Sequence, residues 1–213
     1  NVFTALCGAL GVLAVIVLLA RSACRGTSLL VAGVMVSFLL SSVLALIAYY
    51  STADGLRSFQ LWTMGDFSTV GRARLPLFAL ALGLPLGYCL RRHAVLDAWL
   101  LGEDYAVTLG VSPRKSRSHL LFAVGWISAC TTAFCGPIAF IGLAAPHLAR
   151  LLCGTSLHRY LLPTTLGVGA VLTLSCQLLC SLPFTGGNLP LNAVTPLIGA
   201  PIVLWLLTRQ STP

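Results

Sequence analysis

Residues 29–50, LLVAGVMVSFLLSSVLALIAYY, run without a single charged side chain. A helix needs about 20 mainly apolar residues to cross a hydrocarbon core about 30 Å thick, and this stretch meets that length unaided. It has no polar face to turn toward water, so it reads as a membrane-spanning helix.

Comparable runs lie on either side, at 2–20, 73–90, 119–135, 160–182 and 194–208, with a shorter one at 138–149. The expected fold class is therefore all-α, a polytopic membrane helical bundle with seven spanning segments. Composition agrees. Hydrophobic residues make up 57% of the chain and charged residues 8%, against about 25% charged in a soluble domain, so one core with a polar shell is excluded. A secretory leader does not account for runs that recur to the C-terminus.

A net charge of +8 would suggest nucleic acid in a soluble protein. Here the cations sit between apolar runs, so they report orientation in membrane lipid and no nucleic-acid partner is expected. Of the eight cysteines, Cys7, Cys89, Cys130, Cys135, Cys176 and Cys180 lie in apolar runs without a CxxC pair and read as small packing residues. Cys176 and Cys180 share a helix face, but no His or acid nearby completes a ligand set. No metal site and no cofactor are expected.

The charge bias tests whether 138–149 crosses, because cytoplasmic loops collect Lys and Arg. With a crossing there and a cytoplasmic C-terminus, Arg21, Arg25, Arg91, Arg92, Arg114, Lys115, Arg117, Arg150, Arg159 and Arg209 are inside, leaving only Arg57, Arg72 and Arg74 outside. Without the crossing, Arg150, Arg159 and Arg209 move outside and the bias vanishes. The crossing topology also leaves Asp54, Asp66, Asp97, Glu103 and Asp104 in loops, so no acid is buried in lipid. One membrane domain over residues 1–213 is expected. Asn1 at the outer face of an inward-running helix suggests an N-terminally incomplete chain.

Three segments carry functional expectations. In 91–118, Gly102 precedes Glu103 and Asp104, acids suited to a first helical turn. Gly110 and Pro113 supply the stop, predicting a helix of about two turns, either a loop closure or a contact element. In 136–150, GPIAFIGLAAPHLAR, Gly136-Pro137 breaks the preceding helix, and Gly142 and Pro146 add small or kinking positions. Irregular backbone at that depth is tolerated where protein or a wet cavity covers it, so a substrate pathway is plausible there. His147 reads as a hydrogen-bonded interface residue. In 189–209, Pro190, Pro196 and Pro201 shape the last helix, with Asn192 and Thr195 able to face polar protein or water. Gly83 and Gly87, at GxxxG spacing, read as packing contacts. No phosphate loop, HExxH or nucleophile elbow is present, so the chain reads as a transport subunit, not an enzyme.

AYYSTADGLRSFQLWTMGDF at 48–67, LLGEDYAVTLGV at 100–111, GPIAFIGLAAPHLAR at 136–150 and LPLNAVTPLIGAPIVLWLL at 189–207 occur here in order. In these motifs the chain resembles the iron-siderophore, haem and cobalamin permease family of ABC importers, and YYST and WTMGDF look most like the cobalamin branch. The resemblance implies a fold of ten spanning helices, of which this chain carries the last seven. It implies a permease subunit in the bacterial cytoplasmic (inner) membrane that imports a metal-chelate nutrient: cobalamin, haem or a ferric siderophore. It also implies a homodimer, a cytoplasmic ABC ATPase dimer that supplies the energy, and a periplasmic or lipid-anchored substrate-binding protein. The alternative class is a non-ABC channel or secondary carrier. By resemblance, Gly102, Glu103, Asp104, Ala106, Leu109 and Gly110 form the ATPase-coupling element, with the small Ala106 permitting close approach. The turn before 29–50, with Thr27 and Ser28, forms a cytoplasmic gate, and those two hydroxyls also suit a helix cap. Arg57, Arg72 and Arg74 are the outer cations left for docking the binding protein, since Ser181 stands where relatives often carry Arg.

Overall fold

The computed structural model describes residues 2–22, 26–67, 70–181 and 189–210, and every regular element among them is helical. In chain order these are α1 (Val2–Ser22), α2 (Gly26–Tyr50), α3 (Ala53–Thr63), α4 (Leu75–Arg91), α5 (His93–Leu100), α6 (Glu103–Thr108), α7 (Pro113–Cys135), α8 (Ile141–Cys153), α9 (His158–Cys180) and α10 (Leu191–Gln210). The seven expected apolar runs correspond to α1, α2, α4, α7, α8, α9 and α10. Among the described residues, Leu30–Tyr50, Lys115–Cys135 and His158–Cys180 are long and apolar enough to cross a membrane unaided, while Phe3–Leu19, Leu75–Arg91 and Ile141–Cys153 are shorter apolar helices.

Several boundaries differ from the sequence reading. The short helix occupies Ile141–Cys153 rather than 138–149. Gly136 (φ 79°) and Phe140 (φ 67°) hold 136–140 out of helical geometry, and Gly154 in the left-handed region ends the helix later than expected. At 13 residues it spans about 20 Å, still short of a bilayer core. The segment 91–118 holds two short helices, α5 and α6, where one was expected. α3 was not anticipated at all. α2 already begins at Gly26, which places Thr27 and Ser28 inside its first turn and not in a preceding turn; their side chains lie outside the described residues.

α1 and α4 pack on α7, α8 packs along α9, and α10 lies against both α8 and α9. Lipid offers no hydrophobic drive to helix pairing, so close fit and interhelical hydrogen bonds must hold these pairs. The α8–α9 seam is made of small residues: Ala144, Ala145 and Ala149 are buried, and a Cβ at Gly169 would sit 3.6 Å from the Ala145 Cβ. On the α1 side the buried Leu13 fills the space above Gly125 of α7, where a Cβ would meet the Leu13 side chain at 2.0 Å. Gly125 is thus a packing glycine. A Cβ at Gly83 or Gly87 would meet nothing within 4 Å among the described residues, so these two make no such contact there.

The α4–α7 pair shows how an internal proline is accommodated. Pro85 lies inside α4 and has no N–H to offer the carbonyl of Ala81, four residues earlier. The Trp126 indole of α7 donates to that carbonyl instead, at 3.1 Å. α2 makes the opposite arrangement. It touches α1, and none of its apolar window is buried, yet two of its hydroxyls are satisfied within the helix: Ser37 donates to Gly33 O at 2.9 Å and Ser42 to Phe38 O at 3.0 Å.

The Trp126–Ala81 bond yields a testable prediction. Trp126→Phe should lower stability by about 1 kcal/mol in detergent, read from thermal unfolding. In a Pro85→Ala background, where Ala81 O regains a helical partner, the same change should cost clearly less. Equal costs in both backgrounds would contradict the compensation.

Candidate functional site

Three of the sequence motifs that are distant along the chain converge on one junction. The end of α3, the break after α7 and the start of α10 meet around Asn192. Its amide nitrogen donates to Thr63 O at 2.7 Å and to Pro137 O at 2.5 Å, its Oδ1 accepts from Ala139 N at 3.2 Å, and its backbone N–H donates to Met64 O at 3.0 Å. Asp66 N donates to Cys135 O at 2.9 Å, closing the same junction from the other side.

Each freed backbone group here arises from a local sequence cause. Gly136 ends α7 at φ 79°, and Pro137 can neither donate nor continue the helix. α3 stops at Met64, and Gly65 turns the chain with φ 71°. A Cβ at Gly136 would lie 2.5 Å from Trp62 O and 3.2 Å from the Gly65 Cα, so this position needs glycine for both its φ and its close approach. Below the junction, buried Leu191 and Val194 of α10 pack with Cys176 and Cys180 of α9. The shared face of those two cysteines is therefore used for packing, and no group of three or more metal-ligating side chains occurs among the described residues. Thr195 is buried without a hydrogen-bond partner among the described residues. Pro146 lies inside α8, and Gly142 near its start is exposed. His147 is half-buried and has no hydrogen-bond partner among the described residues, against the expectation of one.

A second constellation lies in the 91–118 segment. Gly102, at φ 110°, begins α6, and Gly110, at φ 79°, ends the turn that follows it. Glu103 and Asp104 occupy the first turn, as expected; the Glu103 side chain lies outside the described residues. Ala106 is 0% exposed, and its carbonyl accepts from Val111 N at 3.0 Å. Its methyl therefore faces the chain's own interior. The exposed large apolar residues of this segment are Tyr105, Val107 and Leu109.

α6 rests on α5, and α5 is tied to α9. Asp97 Oδ1 accepts from His158 N at 2.8 Å and lies 2.7 Å from the His158 Nδ1. α9 has no cap from its own N-cap residue, Leu157, so Asp97 caps it from a different helix. Burial alone would raise the Asp97 pKa, but the hydrogen bonds from His158, together with the electrostatic influence of His158 and His93, hold it below the usual carboxylate value. Sequence reading missed this pair, since the partners lie 61 positions apart. Arg57 on α3 and Arg72 and Arg74 before α4 are exposed.

A family model described as the FecCD transport family matches residues 1–209. The chain belongs to the FecCD transport family. Curated FecCD relatives include the vitamin B12 import system permease proteins of Klebsiella pneumoniae, 37% identical over 96% of this chain and 62% of that protein, and of Citrobacter koseri, 34% identical over 98% and 63% respectively. The chain thus spans a little under two thirds of these relatives' length. A solved structure described as an inward-facing metal-chelate type ABC transporter superimposes with a TM-score of 0.83 at 31% identity, covering 94% of this chain and 64% of that one. The FecCD match encloses both the Asn192 junction and the α5–α6 platform.

Two predictions follow from this geometry. Asn192→Leu removes three side-chain hydrogen bonds and should cost about 2–4 kcal/mol in thermal unfolding. Asn192→Asp should be at least as damaging, because it aims an anion at two carbonyl oxygens; a stable Asp variant would contradict the junction. For Asp97 the lowered folded-state pKa means that its contribution is complete above an unfolded value of about 4 and is lost as pH falls through the folded value. The Tm difference between the protein and Asp97→Asn should accordingly be largest near neutrality and shrink below about pH 4. A difference independent of pH would overturn the assignment.

Proposed function

We propose that this protein is the membrane-spanning permease subunit of an ABC importer for a metal-chelate nutrient, with cobalamin as the first candidate cargo. The observation that carries this reading is the family match across residues 1–209. The cobalamin assignment draws on the vitamin B12 import relatives at 34–37% identity, and haem and ferric siderophores are the competing cargoes. The subunit works as a homodimer in the bacterial cytoplasmic membrane with its C-terminus inside, where the excess of Lys and Arg belongs.

Energy comes from a separate cytoplasmic ATPase dimer, and cargo from an outer binding protein. α6 is the coupling element in this reading, its exposed Tyr105, Val107 and Leu109 forming the contact. Displacement of α6 passes through α5 and the Asp97–His158 link to the start of α9, and directly to α7, which α6 also touches. The non-helical 136–140 segment, with Gly136 and Pro137, lies along the pathway; Gly142 and Pro146 follow in α8. Thr27 and Ser28 form the inner gate. Arg57, Arg72 and Arg74 provide outer charge for the binding protein.

The deciding experiment places the protein in proteoliposomes with and without an ABC ATPase and a cobalamin-binding protein. ATP-dependent cobalamin accumulation is the expected result. A Tyr105→Ala/Leu109→Ala variant should insert normally and lose most uptake, with ATP hydrolysis no longer stimulated by cargo. Uptake that proceeds without any ATPase would identify a channel or carrier instead.

A further inference from the structure

We propose that the groove between α4 and α7 binds a phospholipid with an anionic headgroup. The groove has a volume of about 560 Å³, and its upper walls are Ala81, Leu84, Pro85, Phe122, Ala123 and Trp126. Its polar end holds Tyr88, Arg92 and His119. Those same three residues also line a neighbouring cavity of about 280 Å³, to which Lys115, Ser112 and Ser116 contribute. An apolar trough thus opens at one end into a cationic chamber.

The dimensions and chemistry suit one lipid molecule. Ala81 to Arg92 is 11 residues of rise, about 16 Å, close to the depth of one leaflet of a core about 30 Å thick. An acyl chain is the occupant whose surface matches the trough, and a basic pocket between helices at membrane depth suits an anionic headgroup. The Arg92 guanidinium lies 5.3 Å from the centre of the Tyr88 ring, a stacking that orients its fork without using its donors. Arg92 and Lys115 have no carboxylate partner among the described residues. α7 also begins there, with Pro113 in its first turn and no side-chain cap on its amides. Those amides add donors and positive potential to the same chamber.

The proposal is tested on the protein in detergent and in nanodiscs, with no reference to what it transports. Native mass spectrometry should find one phosphatidylglycerol retained per chain and phosphatidylcholine retained far less. Arg92→Ala/Lys115→Ala should weaken phosphatidylglycerol retention about thirtyfold, the product of two basic contacts. Leu84→Trp, on the exposed wall of the groove, should fill the trough from a position outside the packed core and so sharply reduce retention. A fluorophore on Leu84→Cys, at a position 70% exposed, should be quenched by chain-brominated phosphatidylglycerol more than by the choline analogue. Equal retention of both lipids overturns the proposal, as does displacement by inorganic phosphate alone or undiminished retention in Leu84→Trp. A Leu84 label shielded from every lipid would mean that protein covers the groove, and would overturn it as well.

Discussion

A peptide group that leaves helical geometry at membrane depth must find a partner, because hydrocarbon offers none and each unpaired group costs several kcal/mol. The arrangement around Asn192 follows from that constraint. Gly136, Pro137 and Phe140 take the chain out of helix between α7 and α8, and the end of α3 releases the carbonyls of Thr63 and Met64. One asparagine, with two donors and an acceptor on its side chain, serves Thr63, Pro137 and Ala139 together, while its backbone serves Met64. The irregular backbone between α7 and α8 is thereby held by a polar clamp of fixed geometry. The same rule acts on a smaller scale at Pro85, where Trp126 takes over the carbonyl that the proline leaves unpaired.

The sequence was most legible where composition alone decides. The seven apolar runs, the helix break at Gly136-Pro137 and the acidic start of α6 all follow from local chemistry, and all are present. Lengths were less legible. α3 and α5 mix polar and apolar residues over 11 and 8 positions, too short and too mixed for periodicity to stand out. At Gly83 and Gly87 the GxxxG spacing describes a helix face but not what lies opposite it, and among the described residues nothing does. Gly125, which has no such motif, is the glycine that a neighbouring side chain fills. Asn192 reads from the sequence as a polar residue able to face protein or water, but its partners lie 53 to 129 positions away, and the Asp97–His158 link is comparably remote. No local pattern encodes such pairings.

The two constellations differ in construction. The Asn192 junction is built from neutral hydrogen bonds on glycine-shaped backbone. The α5–α9 link uses a carboxylate on a helix start, and so is stronger for its size and sensitive to protonation. A fixed neutral clamp at one place and an ionisable joint at another distribute stiffness unevenly along the bundle. α2, buried nowhere along its apolar window, is the least constrained of the long helices by its own chain.

The complete burial of Ala106 separates two jobs within six residues. The inward methyl and the carbonyl bonded to Val111 hold α6 in place, while Tyr105, Val107 and Leu109 present its outer surface. Neither set depends on the other for its geometry. Substitutions at the exposed positions can alter the chemistry the segment displays without unsettling the helix, whereas the buried alanine leaves no room for a larger side chain. A short element organised in this way can vary what it shows to its surroundings while its seat on the bundle stays the same.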